Sequence, residues 1–149
     1  MSGSPVSTDP SGSPILVVDS WGVLEWVYRK DPAMSRFRTR LDAASRGELR
    51  LVASRITLGE VFYNIRGRQR RGEIPNRRFT GAALPWTVES VDDALVDEAA
   101  ELKSQYPISY ADAFVTALAM RYQAPVLTGD PDFQKLATAG VIKVDWIGA

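Results

Sequence analysis

The 149-residue sequence predicts a three-layer α/β domain around a mainly parallel sheet. Two observations predict it. Short apolar runs rich in Val, Ile and Leu recur along the chain, bounded by polar or turn residues. They suit strands buried on both faces. Between them lie longer stretches with apolar residues at helical spacing, so strands and helices alternate as in βαβ units.

Taken in order, "ILVV" (Ile15–Val18) is the first strand. Val23, Leu24, Val27 and Tyr28 follow at helical spacing, and a second helix is expected over Ala33–Ser45, stopped by Gly47. "LRLVAS" (Leu49–Ser54) reads as the second strand. A helix from about Thr57 carries Leu58, Val61 and Ile65 on one side and runs into "RGRQRRG". Pro75–Ala83 is a short helix or loop, and "TVESV" (Thr87–Val91) a short strand. "DDALVDEAAELKSQY" is an amphipathic helix with an acidic first turn, which suits the helix dipole. "SYADAFVTALAMRYQA" (Ser109–Ala124) is the most apolar helix and is expected at the centre. "PVLTG" is a strand, 131–139 a helix, and "IKVDWI" the last strand. Residues 1–14, rich in Ser, Pro and Gly, are expected to be a disordered tail, leaving 15–149 as one domain. No signal peptide or membrane span is expected, which points to the cytoplasm.

The chain has no cysteine and no histidine. Disulfides, thiolate metal sites and imidazole chemistry are therefore excluded. Catalysis is left to carboxylates, hydroxyls, lysine, arginine or a bound hard cation. Net charge is zero, yet residues 29–78 hold 14 of the 18 basic residues against 5 acids. Residues 79–149 hold 4 basic and 10 acidic residues. This separation suggests a basic face able to meet phosphates, or simply solvated helix faces.

In a parallel sheet, functional groups collect where strands end and helices begin. Four acids lie at such junctions. Asp19 follows the first strand, Glu60 is expected in the first turn of the helix after the second, Asp112 lies in the first turn of the apolar helix, and Asp130 follows "VLTG". Each also has a structural explanation. Asp19 can cap a helix, "TLGE" and "SYAD" fit the capping box, and Asp130-Pro131 is a standard helix opening. Together, four carboxylates on one sheet edge would repel one another unless protonated or neutralised by a cation. With no His or Cys, Mg²⁺ or Mn²⁺ suits such a site better than zinc or copper. Spacing alone leaves capping and metal binding both open.

"ILVVDSWGVLEW", "SRITLGEVFYNI", "YADAFVTALA" and "VLTGDPDF" together resemble the four acidic motifs of PIN domains, more narrowly those of VapC-type ribonuclease toxins. The resemblance spans about 15–147. It implies a PIN-like fold and a metal-dependent endoribonuclease, with Asp19, Glu60, Asp112 and Asp130 as catalytic and metal-binding acids. Asp132 takes a frequently acidic fifth place. Ser20, Thr128 and Asn64 form a possible second tier beside the site, for which local hydrogen bonding or exposure is an equal explanation. The resemblance further implies hydrolysis of structured RNA of the tRNA or rRNA class with Mg²⁺ or Mn²⁺ as cofactor. It implies a homodimer and a VapB-like antitoxin seated in an apolar groove near Trp21–Tyr28. An inactive RNA-binding PIN-like module and a metal-dependent DNA nuclease remain as alternatives. An aspartyl phospho-acceptor is disfavoured, because "VVDSWG" lacks a D-x-D spacing and no suitable "K-P" follows a late strand.

Overall fold

A computed structural model describes residues 8–149. The elements are β1 Ile15–Val18, α1 Ser20–Val27, α2 Ala33–Ser45, β2 Arg50–Ser54, α3 Arg55–Arg70, β3 Trp86–Glu89, α4 Asp93–Gln105, α5 Tyr110–Tyr122, β4 Val126–Thr128, α6 Pro131–Thr138 and β5 Val144–Trp146. The strands form one sheet in the order β3-β2-β1-β4-β5, and every described pairing is parallel. The expected "mainly parallel" sheet is thus parallel throughout. Each return to the same sheet edge must be covered by a helix, and a hairpin is never used.

β1 shows why the sheet has two covered faces. Ile15 and Val17 join the cluster that contains Leu95, Phe114, Leu118 and Phe133 of α4, α5 and α6. Leu16 and Val18 point the other way, to Val23, Phe37, Leu41 and Val61 of α1, α2 and α3. This two-residue alternation turns a continuous apolar run into two half-cores. α5 is buried from Asp112 through Ala119, as a helix apolar on every side must be.

Boundaries differ from expectation at two places with clear causes. α3 begins at Arg55 because Ser54, not Thr57, is its N-cap, with the Ser54 hydroxyl accepting from the Ile56 N–H at 3.0 Å. "TLGE" is therefore not a capping box, and Glu60 lies beyond the first turn. The other is the tail. Residues 1–7 of it lie outside the described residues. Residues 8–14 form a turn in which Asp9 Oδ1 accepts from the N–H groups of Ser11 (3.0 Å) and Ser13 (2.8 Å). The Ser13 hydroxyl donates to the Gly47 carbonyl at 2.7 Å, tying that turn to the end of α2. Gly47 itself has φ +74°, the left-handed conformation that ends a helix at low cost to glycine alone.

Among the described residues, no helix is long and apolar enough to cross a membrane.

Candidate active site

Strand order reverses between β1 and β4, the crevice where open α/β sheets place their ligands. Asp19 leaves the end of β1 there. Its backbone N–H donates to the Leu127 carbonyl of β4 at 3.3 Å, and its side chain is 1% exposed. Asp19 occupies the N-cap position of α1, yet its side chain makes no capping bond. Instead Oδ2 accepts from the Thr128 hydroxyl at 2.7 Å, across the crevice. Thr128 Oγ1 in turn accepts from the Asp130 N–H at 3.0 Å, so one buried hydroxyl sets the position of two acids.

Asp130 does cap a helix, and Asp112 sits in the first turn of one that Ser109 caps. Asp130 accepts from the Asp132 N–H at 2.9 Å with Pro131 at the first helical position. The Ser109 hydroxyl accepts from the Asp112 N–H at 3.0 Å and opens α5, while Thr116 donates to the Asp112 carbonyl at 2.8 Å. These local bonds aim the carboxylates towards a common point. Carboxylate oxygens of Asp112, Asp130 and Asp132 lie within 4.8 Å of one another. Asp132, only a fifth-place candidate in the sequence, is thus in the tightest group.

Glu60 arrives from the opposite layer on α3. Its Oε1 is buried without a hydrogen-bond partner, as is Oγ1 of Thr57 one turn earlier. An orphaned buried carboxylate oxygen is costly and is more economically explained by a ligand than by packing. Thr57 is the residue the sequence reading overlooked; its only signal is a hydroxyl three residues before a junction acid. Tyr63 was also missed. It is exposed, and burial of the phenol together with the Glu60 and Asp112 charges holds its hydroxyl above the ordinary value, which places it at the mouth of the site.

The electrostatics tie the acids together. Burial, chiefly, pushes Asp19 up to about 8, against the Thr128 bond; Asp112, Glu60 and Asp130 add to the rise. Asp112 is pushed up to about 6, first by burial and then by Asp130, with Glu60 and Asp132 contributing. Asp19 and Asp112 therefore each feel at least two of the other junction acids. Of the second tier, Thr128 bonds Asp19 directly, Ser20 is buried as the first residue of α1, and Asn64 accepts from the Tyr28 hydroxyl at 2.7 Å. Asn64 lines a link to α1 and makes no bond to the acids.

The donor set consists of carboxylate oxygens with Thr128 behind them, without nitrogen or sulfur. It fits a hard divalent cation such as Mg²⁺ or Mn²⁺. Gly129 keeps the crevice narrow: a Cβ there would lie 2.3 Å from the Trp21 ring and 2.9 Å from the Gly148 backbone. Trp21 of α1 is therefore packed over the chain that carries Thr128 and Asp130.

Thr128→Val removes the donor to Asp19 and the acceptor for Asp130 at nearly constant volume. A loss of about 1–3 kcal/mol of stability is expected in urea unfolding, with most of it restored in Thr128→Ser. An unchanged midpoint for the valine variant would show that this hydroxyl does not hold the crevice together.

Residues 16–139 match a family model described as the PIN domain. No curated protein matches the sequence. The fold is similar to that of VapBC2 from Rickettsia felis bound to a DNA fragment from its promoter, with TM-score 0.59, 13% identity, and coverage of 88% of this chain and 97% of that one. It is also similar to a toxin–antitoxin complex from Klebsiella pneumoniae (TM-score 0.56, 13% identity, 85% and 94% covered). A third is FitAcB from Neisseria gonorrhoeae (TM-score 0.55, 18% identity, 87% and 95% covered). At these identities the likeness is one of fold. The family match is independent of it and runs from β1 past α6, enclosing Asp19, Glu60, Asp112, Asp130 and Asp132. The chain belongs to the PIN domain family.

Proposed function

We propose that this PIN domain is a Mg²⁺- or Mn²⁺-dependent endoribonuclease and the toxin of a type II toxin–antitoxin pair. The observation that carries the catalytic part is the convergence of five acids on the switch-point crevice, one of them with an orphaned buried oxygen. PIN domains are generally nucleases, and the similar folds above come from toxin–antitoxin complexes.

Asp112, Asp130 and Asp132 would hold the cation through the oxygens that already approach one another, with Asp19 and Glu60 completing the pocket. When bound, the cation supplies charge neutralisation at the scissile phosphate and activation of the attacking water. The protein's own contribution is placement. Thr128 holds the Asp19 carboxyl in one orientation, and the helix openings at Ser109 and Asp130 fix the other acids before substrate arrives. Asp19 keeps its proton near neutral pH until positive charge enters the crevice.

RNA is favoured as substrate by the resemblance of the four motifs to ribonuclease toxins, and structured RNA offers single-stranded loops whose backbone is accessible. The antitoxin would seat near Trp21–Tyr28. Part of that helix is already used, since Trp26 packs on Phe37 with ring centroids 6.1 Å apart.

Two measurements test the reading. Purified protein is incubated with tRNA, ribosomal RNA and single-stranded DNA in Mg²⁺, Mn²⁺ or EDTA. Cleavage of RNA only with a cation is expected; cleavage in EDTA, or of DNA alone, overturns it. Expression alone should arrest growth, and co-expression with the product of the adjacent upstream reading frame should restore it.

A further inference from the structure

Behind the acids, α3 leads to a second feature. Glu60, Asn64 and Arg68 stand at i, i+4 and i+8 on one face of this helix, so Arg68 lies about 12 Å from Glu60 along the axis. Asn64 accepts from the Tyr28 hydroxyl at 2.7 Å, and the Arg68 guanidinium stacks over the Tyr28 ring at 4.0 Å. The acid crevice is therefore joined to the Tyr28–Arg68 stack by one turn of helix on either side of Asn64.

Around this stack lies an open cavity of about 490 Å³. Its apolar floor includes Val27, Ile65 and Phe79, and its rim carries Arg29, Lys30, Arg77 and Arg78. A neighbouring cavity of about 420 Å³ shares Arg77, Arg78 and Phe79 and adds Phe62 and Arg66. No acidic residue lines either one. Among the described residues, Arg29, Lys30, Arg66, Arg77 and Arg78 are in no ion pair, whereas Arg68 and Arg71 are paired with Glu73. Unpaired cations gathered round aromatic rings are what a single strand needs: guanidinium and ammonium groups for phosphates, ring faces for bases. Phe62, 57% exposed, offers one such face at the rim of the second cavity.

We propose that this double cavity is a nucleotide subsite that binds the RNA strand flanking the cleaved bond, with Arg77 and Arg78 on its phosphates and Tyr28 and Phe79 against a base. The inference rests on the nuclease reading for the identity of the strand, but binding is measured separately from cleavage. An acidic segment of a protein partner carries the same sign of charge. Nucleic acid is favoured by the continuity of the Glu60–Asn64–Arg68 face, which leads from the acids into the cavity within a few nucleotides' reach.

The test uses a fluorescein-labelled single-stranded RNA and anisotropy in EDTA across a salt series, so that no cleavage intervenes. Arg77→Ala/Arg78→Ala truncates two exposed side chains that are in no ion pair. It is expected to weaken binding about tenfold and to reduce the slope of log K against log salt by about 1.4, two single-strand phosphate contacts. Tyr28→Leu is expected to weaken binding about tenfold with the slope unchanged. Arg38→Ala/Arg46→Ala, on α2 and at its C-cap, removes the same formal charge elsewhere, one of it paired with Glu48, and should change affinity less than threefold. Equal losses in the α2 control, or unchanged binding in Arg77→Ala/Arg78→Ala, overturn the subsite. So does loss of antitoxin capture with RNA affinity intact, which makes the cavity a protein-docking surface. If the wild type binds RNA through these residues but cleaves nothing with any cation, the nuclease reading fails and the subsite stands.

Discussion

Asp19→Asn is expected to lower RNA cleavage in Mg²⁺ at least about a hundredfold while leaving the protein as stable in EDTA, or more so. The two parts have one cause. Asp19 is 1% exposed and is held largely protonated near neutral pH, so the cation-free fold already treats it as a neutral group. Asparagine keeps the shape, and its carbonyl oxygen can still accept from the Thr128 hydroxyl. What it lacks is the capacity to become an anion when a cation enters. Cleavage at the wild-type rate would remove Asp19 from the site. A variant that loses activity but also melts lower in EDTA would indicate a structural role only.

The second large effect is the coupling between cation and proton. In the cation-free fold Asp19 is raised to about 8 and Asp112 to about 6, from a value of 3.8 in the unfolded chain. Below about pH 4 both states hold these protons and no penalty exists. Above it the unfolded chain releases protons that the folded chain retains. Stability without cation therefore falls as pH rises, through about 6 for Asp112 and about 8 for Asp19. Binding of Mn²⁺ or Mg²⁺ demands the ionised forms, so at pH 7 it should release about one proton per site. Between about pH 6 and 8 apparent affinity should rise up to about tenfold per pH unit, and it should level off above pH 8. Calorimetry in buffers of different ionisation enthalpy measures the released proton, and Asp19→Asn should abolish most of it. A melting temperature insensitive to millimolar Mn²⁺ at pH 8 would show that the acids do not share a cation.

Much of the fold was legible because burial on both sheet faces leaves a plain mark. "ILVV" and "PVLTG" became β1 and β4, and Ala33–Ser45 became α2 with the expected ends. The start of α3 was misplaced because Ser54 and Thr57 are both good N-cap residues in sequence. Only the strand's end decides between them, and β2 ends at Ser54. The choice between cap and site proved false for Asp130, which caps α6 and converges with Asp112 and Asp132 as well, whereas Asp112 leaves the capping of α5 to Ser109. It came out differently for Asp19, which bonds Thr128 and caps nothing with its side chain.

By itself the sequence determined the alternation of strands and helices, the absence of nitrogen and sulfur ligands other than backbone, lysine, arginine, amide, indole and methionine groups, and the placing of four acids at junctions. Those follow from residue type and from periods of two and about 3.6, which are local properties. Tertiary structure alone decided that Asp132 joins Asp112 and Asp130, that one hydroxyl of Thr128 serves both Asp19 and Asp130, and that Glu60 is left with an unpartnered oxygen. Each depends on the strand order β3-β2-β1-β4-β5, which brings residues 19 and 128 together across 109 positions of chain. Period and composition carry no record of which strand lies beside which. That is settled by how two half-cores close on opposite faces of the sheet.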